Sequence, residues 1–306
     1  MNDFSSHPLY RKHSIDSAMS SIWEFYKTRF LSLFIISLVM SLVMQYSATF
    51  IDLAELQSIS DPQMILAKMK DYLFPMLVIS LVSLLFTTVL HYYVIYNPLD
   101  PGNNIVVCIV NSMRYFIPYL IIMILLAFAG SLAILLGLMA LIIGVFFSVV
   151  YIFTLYIFIL PILMVEGPNI GNTISRTIAL AHRSFWANIG WSAVFLIILI
   201  VVSIILSGII LLPFTGSFMK SIINPGDVDE LIDFTTRPSF IFLSAAANAL
   251  TLPLLPIFAC IMYFNGKAGE QASLKTQSGE YGGEVRVEDL YSKPYSDDHP
   301  DRPDKD

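Results

Sequence analysis

Apolar residues fall into long stretches that polar punctuation interrupts at few places. No charged side chain occurs at 30–51, 115–165, 184–219 or 238–266. A helix needs about 20 apolar residues to cross the hydrocarbon core, and a charge at its centre costs roughly 2.5–3.5 kcal/mol on insertion scales. These stretches predict spans at about 30–50, 72–96, 117–136, 138–165, 186–212 and 238–264. The 51-residue run 115–165 would be about 76 Å long as one helix, so it must fold back. Gly130, Gly137 and Gly144 are its weak points, and the turn is placed near Gly137.

Three segments show the 3.6-residue alternation of a surface helix instead. Ser14–Arg29 has Ile15, Ala18, Met19, Ile22, Trp23 and Tyr26 on one face. Ile105–Phe116 is more apolar, and Ile170–Phe185 repeats the pattern with Ile170, Ile174, Ile178 and Ala181. They align without gaps: Ile15, Ile105 and Ile170, then Met19, Ile109 and Ile174, then Trp23, Met113 and Ile178. Two spans follow each. The pattern points to a threefold repeat of amphipathic helix, span, span. Chance alignment of helices sharing a period is the competing explanation. The predicted fold is all-α: a polytopic integral membrane protein with six transmembrane helices and three interfacial ones.

Outside 14–265 the chain reads as a loose N-terminus at 1–13 and a disordered, acidic tail at 266–306, rich in Gly, Ser, Asp and Pro. Asp61-Pro62 is a helix-start signal in the first outer connection. Pro253 and Pro256 predict a bend in the sixth span.

Composition agrees: 56% of the residues are hydrophobic, 13% are charged, and the mean hydropathy is +0.73. The net charge of −6 arises mainly in the tail, which holds ten acids against six bases. No basic face or arm is present, so nucleic acid is excluded as a partner. Basic residues flanking the spans number nine on the side of the termini and four on the other, which predicts cytoplasmic termini. A cleavable signal peptide is not expected, because the first apolar run begins only at Phe30.

Chemistry is sparse. Cys108 and Cys260 read as free structural thiols, and the five histidines are scattered, so neither a metal nor a cofactor is expected. No Asp, Glu, Lys or Arg lies mid-span, and no P-loop, Gly-x-Ser-x-Gly or His-Glu-x-x-His occurs. Catalytic residues are therefore expected to be absent. Candidate headgroup contacts are Lys27, Arg29, Arg176, His182 and Arg183. Candidate functional polar groups are Glu166, His91 and Asn248; Glu166 could pair with Arg176 or Arg183. Asn188 and Asn248, Ser203-x3-Ser207, Ala140-x3-Gly144-x3-Ser148 and Ser244 to Asn248 suit helix packing.

The run Pro161 to Gly167, ending in Glu166-Gly167, with Ser175-Arg176, Phe185-Trp186 and Gly190, resembles a known pattern. It is similar to the multi-pass membrane domain fused to some bacterial glycerophosphodiester phosphodiesterases and found in stand-alone inner-membrane relatives. The resemblance is clearest over 160–192. No soluble phosphodiesterase domain accompanies it here, so that activity is not carried over. The resemblance implies a bacterial inner-membrane protein. The expected role is a non-enzymatic scaffold or accessory in envelope or lipid homeostasis, with membrane lipids and a further membrane protein or second copy as partners. The alternative is an uncoupled permease, or a channel translocating lipid or a small molecule.

Overall fold

The structure, a computed structural model, describes residues 4–51, 61–100, 102, 104–216, 219 and 236–281. Its elements in chain order are α1 (Ile15–Thr28), α2 (Phe30–Ala48), α3 (Pro62–Tyr96), α4 (Ile105–Met139) and α5 (Leu141–Val165). After these come α6 (Ile170–Arg183), α7 (Phe185–Leu211), α8 (Pro238–Thr251) and α9 (Leu254–Tyr281). Among the described residues there is no strand. Six helices are long and apolar enough to cross a membrane, the sixth being α8 with the first part of α9. The chain is thus an all-α, multi-pass membrane protein. The residues from Lys267 onward form a separate unit, and its described part is helical to Tyr281.

The repeat is visible in how each copy starts. Ser14, Asn104 and Asn169 occupy one position in the three copies and each is an N-cap. Their side-chain oxygens accept from the backbone N–H three residues on, at Ser17 (3.3 Å), Val107 (3.0 Å) and Asn172 (2.9 Å). This satisfies a donor that the first helical turn cannot. Burial keeps the same register: Ala18, Cys108 and Thr173; Ile22, Ser112 and Thr177; Phe25, Tyr115 and Leu180 are all buried. A shared period alone does not fix the cap.

The copies then diverge. In the first and third, the helix breaks at equivalent residues, Arg29 and Ser184, before the span begins. At the second break Asn188 in the first turn of α7 donates to the carbonyls of Leu180 (2.9 Å) and Ala181 (3.0 Å), capping the end of α6. The expected separate helix at 105–116 is not seen: α4 runs unbroken to Met139. Its aligned residue is Tyr119, fully buried and helical, and Pro118 beside it removes one backbone hydrogen bond without ending the helix. Asp61 accepts from the Gln63 N–H (2.9 Å) and starts α3, which likewise runs through to Tyr96 without separating a short helix from the span.

The fold-back in the long run comes three residues later than expected, at Ala140–Leu141. Gly137 and Gly144 serve it by letting the two backbones touch. A Cβ on Gly137 would stand 2.6 Å from Ser148 Oγ and 2.7 Å from the Gly144 carbonyl oxygen. Ser148 Oγ also donates to the Ala133 carbonyl across the hairpin (3.0 Å). Leu141 turns the corner at φ +59°, a left-handed conformation that costs a non-glycine residue about 1 kcal/mol. Leu138, Met139, Leu141, Ile142 and Ile143 at the tip are exposed and apolar.

Small residues bring α8 against α2: Ser244, Ala245, Ala247 and Ala249 are buried on one side, Leu33, Ile36, Ser37, Met40 and Ser41 on the other. Ser203 and Ser207 of α7 do not pack in this way and border an open groove of about 620 Å³. The bundle centre is formed by the second span of each copy. Residues 88–96, 157–164 and 256–264 are buried without interruption. A helix hidden on every face for two turns must be surrounded, so these three segments form a hub.

Two expectations at the chain ends are corrected. Residues 4–13 are docked rather than loose, because His7, Leu9 and His13 bury themselves against the hub. The last span does not give way to disorder at 266, since α9 continues helically to Tyr281; the tail expected at 282–306 lies outside the described residues.

Candidate functional site

The polar chemistry gathers where the buried segments of the hub end. Two second spans stop at a polar residue followed by a turn former, Asn97-Pro98 and Glu166-Gly167; in the third, Asn265-Gly266 follows the buried segment but lies within α9, which continues to Tyr281. All three act as acceptors. Asn97 Oδ1 takes a hydrogen bond from Arg29 Nη1, at the break between α1 and α2. Glu166 is held in a fork by α6: Arg176 Nε donates to Oε2 (3.0 Å) and Nη2 to Oε1 (3.3 Å). The Tyr263 hydroxyl of α9 also donates to Oε1 (3.1 Å). Asn265 Oδ1 accepts from the His13 backbone N–H (2.9 Å), just before α1. Each hub helix is thereby tied to an amphipathic element.

A tyrosine cluster closes the same end. The Tyr96 hydroxyl donates to the Met164 carbonyl (2.6 Å) and lies 3.3 Å from the Tyr115 hydroxyl. Arg114 donates to Tyr115 and lies over its ring, 4.5 Å from the centroid. The 4–13 segment covers the cluster as a strap. The Phe4 ring meets Tyr96 at 5.7 Å, and His7 and Tyr10 meet Phe264 at 4.9 and 5.3 Å. His7 Nδ1 accepts from the Leu9 N–H (3.1 Å), so its proton sits on Nε2, which donates to the Val94 carbonyl (3.2 Å). Burial, reinforced by the Arg29 charge, lowers the His7 pKa to about 4. His13 is lowered in the same direction, mainly by burial.

Arg176, one of the two expected partners of Glu166, is joined to it. Arg176 therefore faces a carboxylate, with a quarter of its side chain exposed. His182 stays at the surface: Nδ1 donates to the Ile178 carbonyl (2.9 Å), leaving Nε2 to accept from Tyr151 (3.3 Å). Arg183 is exposed at the end of α6, and Lys27 lies 5.8 Å from the exposed Trp23 ring. His91 is buried inside α3 and donates from Nδ1 to the Thr87 carbonyl (2.9 Å), well away from Glu166 in sequence and bonding. Asn248 is exposed on α8 and joins none of these groups. Among the described residues, no three metal-ligating side chains come together.

Sequence reasoning missed the strap, Tyr263 and the two asparagines. A usable signal was present: Asn97, Glu166 and Asn265 each follow directly on a long apolar stretch that closes a second span. Nothing comparable marks the strap, since its two histidines look like any polar terminus.

Six helices long and apolar enough to cross a membrane, three of them contributing to the hub, define the class, a multi-pass α-helical membrane protein. The chain matches no protein-family model, no curated protein and no solved structure.

Proposed function

We propose that this chain is a non-enzymatic integral membrane scaffold or accessory protein acting in envelope or lipid homeostasis. The carrying observation is the hub, whose three helices are buried on every face at one end and lie under the strap. Such an end is built to hold a shape, with no room for passage between its helices. Around it, α1, α6 and the first turn of α7 present Lys27, Arg183 and two exposed tryptophans, Trp23 and Trp186, to the membrane surface. The excess of basic residues on this side supports cytoplasmic termini. The resemblance over 160–192 supports a bacterial inner membrane. Membrane lipids and a further membrane protein, or a second copy, are the partners of this reading.

An uncoupled permease or lipid-translocating channel is favoured by one feature, a groove of about 450 Å³ between α4 and α5. Met123, Gly130, Ile152 and Tyr156 line it. Thiol labelling in cells separates the two. Single cysteines are placed through 88–96, 157–164, 256–264 and 117–134 in a background lacking Cys108 and Cys260. The scaffold predicts that hub positions stay unlabelled. A labelled stripe running the length of the hub or of the α4–α5 groove would replace it with the permease.

A further inference from the structure

The strap leaves a cavity of about 350 Å³ between itself and α1. Its floor is apolar, from Leu9 and Phe25; its walls carry Arg11, Ser21, Glu24, Thr28 and Arg29. That volume lies within the range of small-molecule sites. Arg11 Nη2 donates to Ser21 Oγ (2.6 Å), and Arg29 donates to Asn97 and lies over the Phe25 ring, 5.4 Å from its centroid. A guanidinium has five N–H donors, so both keep donors for a ligand. Among the described residues, neither has a carboxylate within ion-pair distance.

Depth in the membrane specifies the ligand. Arg29 is the residue between α1 and Phe30, where the first span begins. Lipid phosphates stand at the level where a span leaves the hydrocarbon. The exposed Trp23 and its neighbour Lys27 belong to the same helix, as expected of an element lying in that layer.

We propose that this cavity binds the phosphodiester of a glycerophospholipid headgroup, with Arg11 and Arg29 on the phosphate and Glu24 on a hydroxyl or ammonium of the head substituent. Two guanidinium charges and one carboxylate leave a single positive charge, which a phosphodiester monoanion neutralises. The Thr28 hydroxyl already donates to the Phe25 carbonyl (2.9 Å), so the two guanidinium groups carry the phosphate contact. Glu24 disfavours a dianionic phosphomonoester and rewards a headgroup that donates a hydrogen bond. The site rests on the reading of α1 as a surface-lying helix of a membrane scaffold, and it gives that scaffold a lipid to recognise.

The test uses the full-length protein in maltoside detergent, titrated calorimetrically with dioctanoyl phosphatidylglycerol. Comparison ligands are dioctanoyl phosphatidylcholine, which has no donor for Glu24, and dioctanoylglycerol, which has no phosphate. Soluble glycerophosphoglycerol and inorganic phosphate complete the set. Phosphatidylglycerol is expected to bind about tenfold or more tighter than dioctanoylglycerol, the order expected of charge-assisted hydrogen bonds. Arg11→Gln and Arg29→Gln should each lose about that factor, and Lys12→Gln on the same strap should lose none. Glu24→Gln should erase the preference over phosphatidylcholine. Because Arg29 also holds Asn97, its variant is read only alongside unliganded melting, and Arg11→Gln and Glu24→Gln carry the test. Wild-type affinity in both of these, or equal binding of dioctanoylglycerol, overturns the site. Soluble glycerophosphoglycerol binding as tightly as the lipid keeps the phosphodiester site and overturns its membrane source. The scaffold reading fails separately, on thiol labelling of the hub, so loss of one leaves the other standing.

Discussion

Glu166 accepts from Arg176 twice and from Tyr263, donors on two different helices. Removing one partner of a partly buried ion pair strips the other charge of its strongest contacts, which costs more than removing both. Arg176→Gln is therefore expected to lower stability by about 1–3 kcal/mol, and the added Glu166→Gln to restore part of it. Melting of the single and double variants in detergent checks this. A double variant as unstable as the sum of the singles would mean the pair is not coupled. His7 gives a pH dependence with a definite sign. Undocked, it takes a proton near 6.5; docked, only near 4. The docked strap therefore has its full stability above about pH 6.5 and loses it progressively as pH falls toward 4, and His13 acts in the same direction. Hydrogen exchange of residues 4–13 at pH 7 and pH 5 should show the loosening. In His7→Gln the step should shrink to the part His13 supplies. A flat profile in the wild type would show that His7 is not what holds the strap. At this scale the sequence was least legible. Glu166 stood out because an acid beside an apolar run is rare; Tyr263 and the strap histidines did not, because their role depends on which elements meet.

The elements themselves were largely readable, because lipid-facing and interfacial helices carry different periods. Where boundaries were misjudged, the cause was local. Glycine in an apolar run suggests the turn, yet Gly137 and Gly144 are where two backbones cross, and the corner falls to Leu141. Two predictions separate these roles. Leu141→Gly should stabilise the hairpin by up to about 1 kcal/mol by removing the left-handed penalty. Gly144→Val should destabilise by more than that, since its Cβ would run into the Gly137 carbonyl and the Ala140 Cβ (2.7 Å). Melting of both variants decides it, and similar effects of the same sign would refute the division of labour. Likewise the absence of a break after 116 reflects Tyr119, whose burial keeps the helix running where Arg29 and Ser184 let it stop. A single sequence does not show which of three aligned positions will be packed on all sides.

For the whole molecule, the threefold pattern was visible in the amphipathic segments and is carried further by the caps. The hub was not legible, since the buried stretches 88–96, 157–164 and 256–264 are as apolar as stretches facing lipid. The hub predicts a simple reactivity: Cys108 and Cys260 are both fully buried, so neither should react with maleimide in the native protein. Mass spectrometry before and after denaturation measures it, and native labelling of Cys260 would mean the hub opens. The exposed apolar tip of the α4–α5 hairpin bears on how the chain enters the bilayer during synthesis. From Tyr115 to Val165 this hairpin holds no charged residue, and its link is a corner rather than a polar loop. Nothing hydrophilic has to be carried across, so the two helices can leave the translocon sideways as one preformed pair. The middle copy of the repeat can then act as the seed on which the outer copies, each with an acidic outer connection to deliver, assemble.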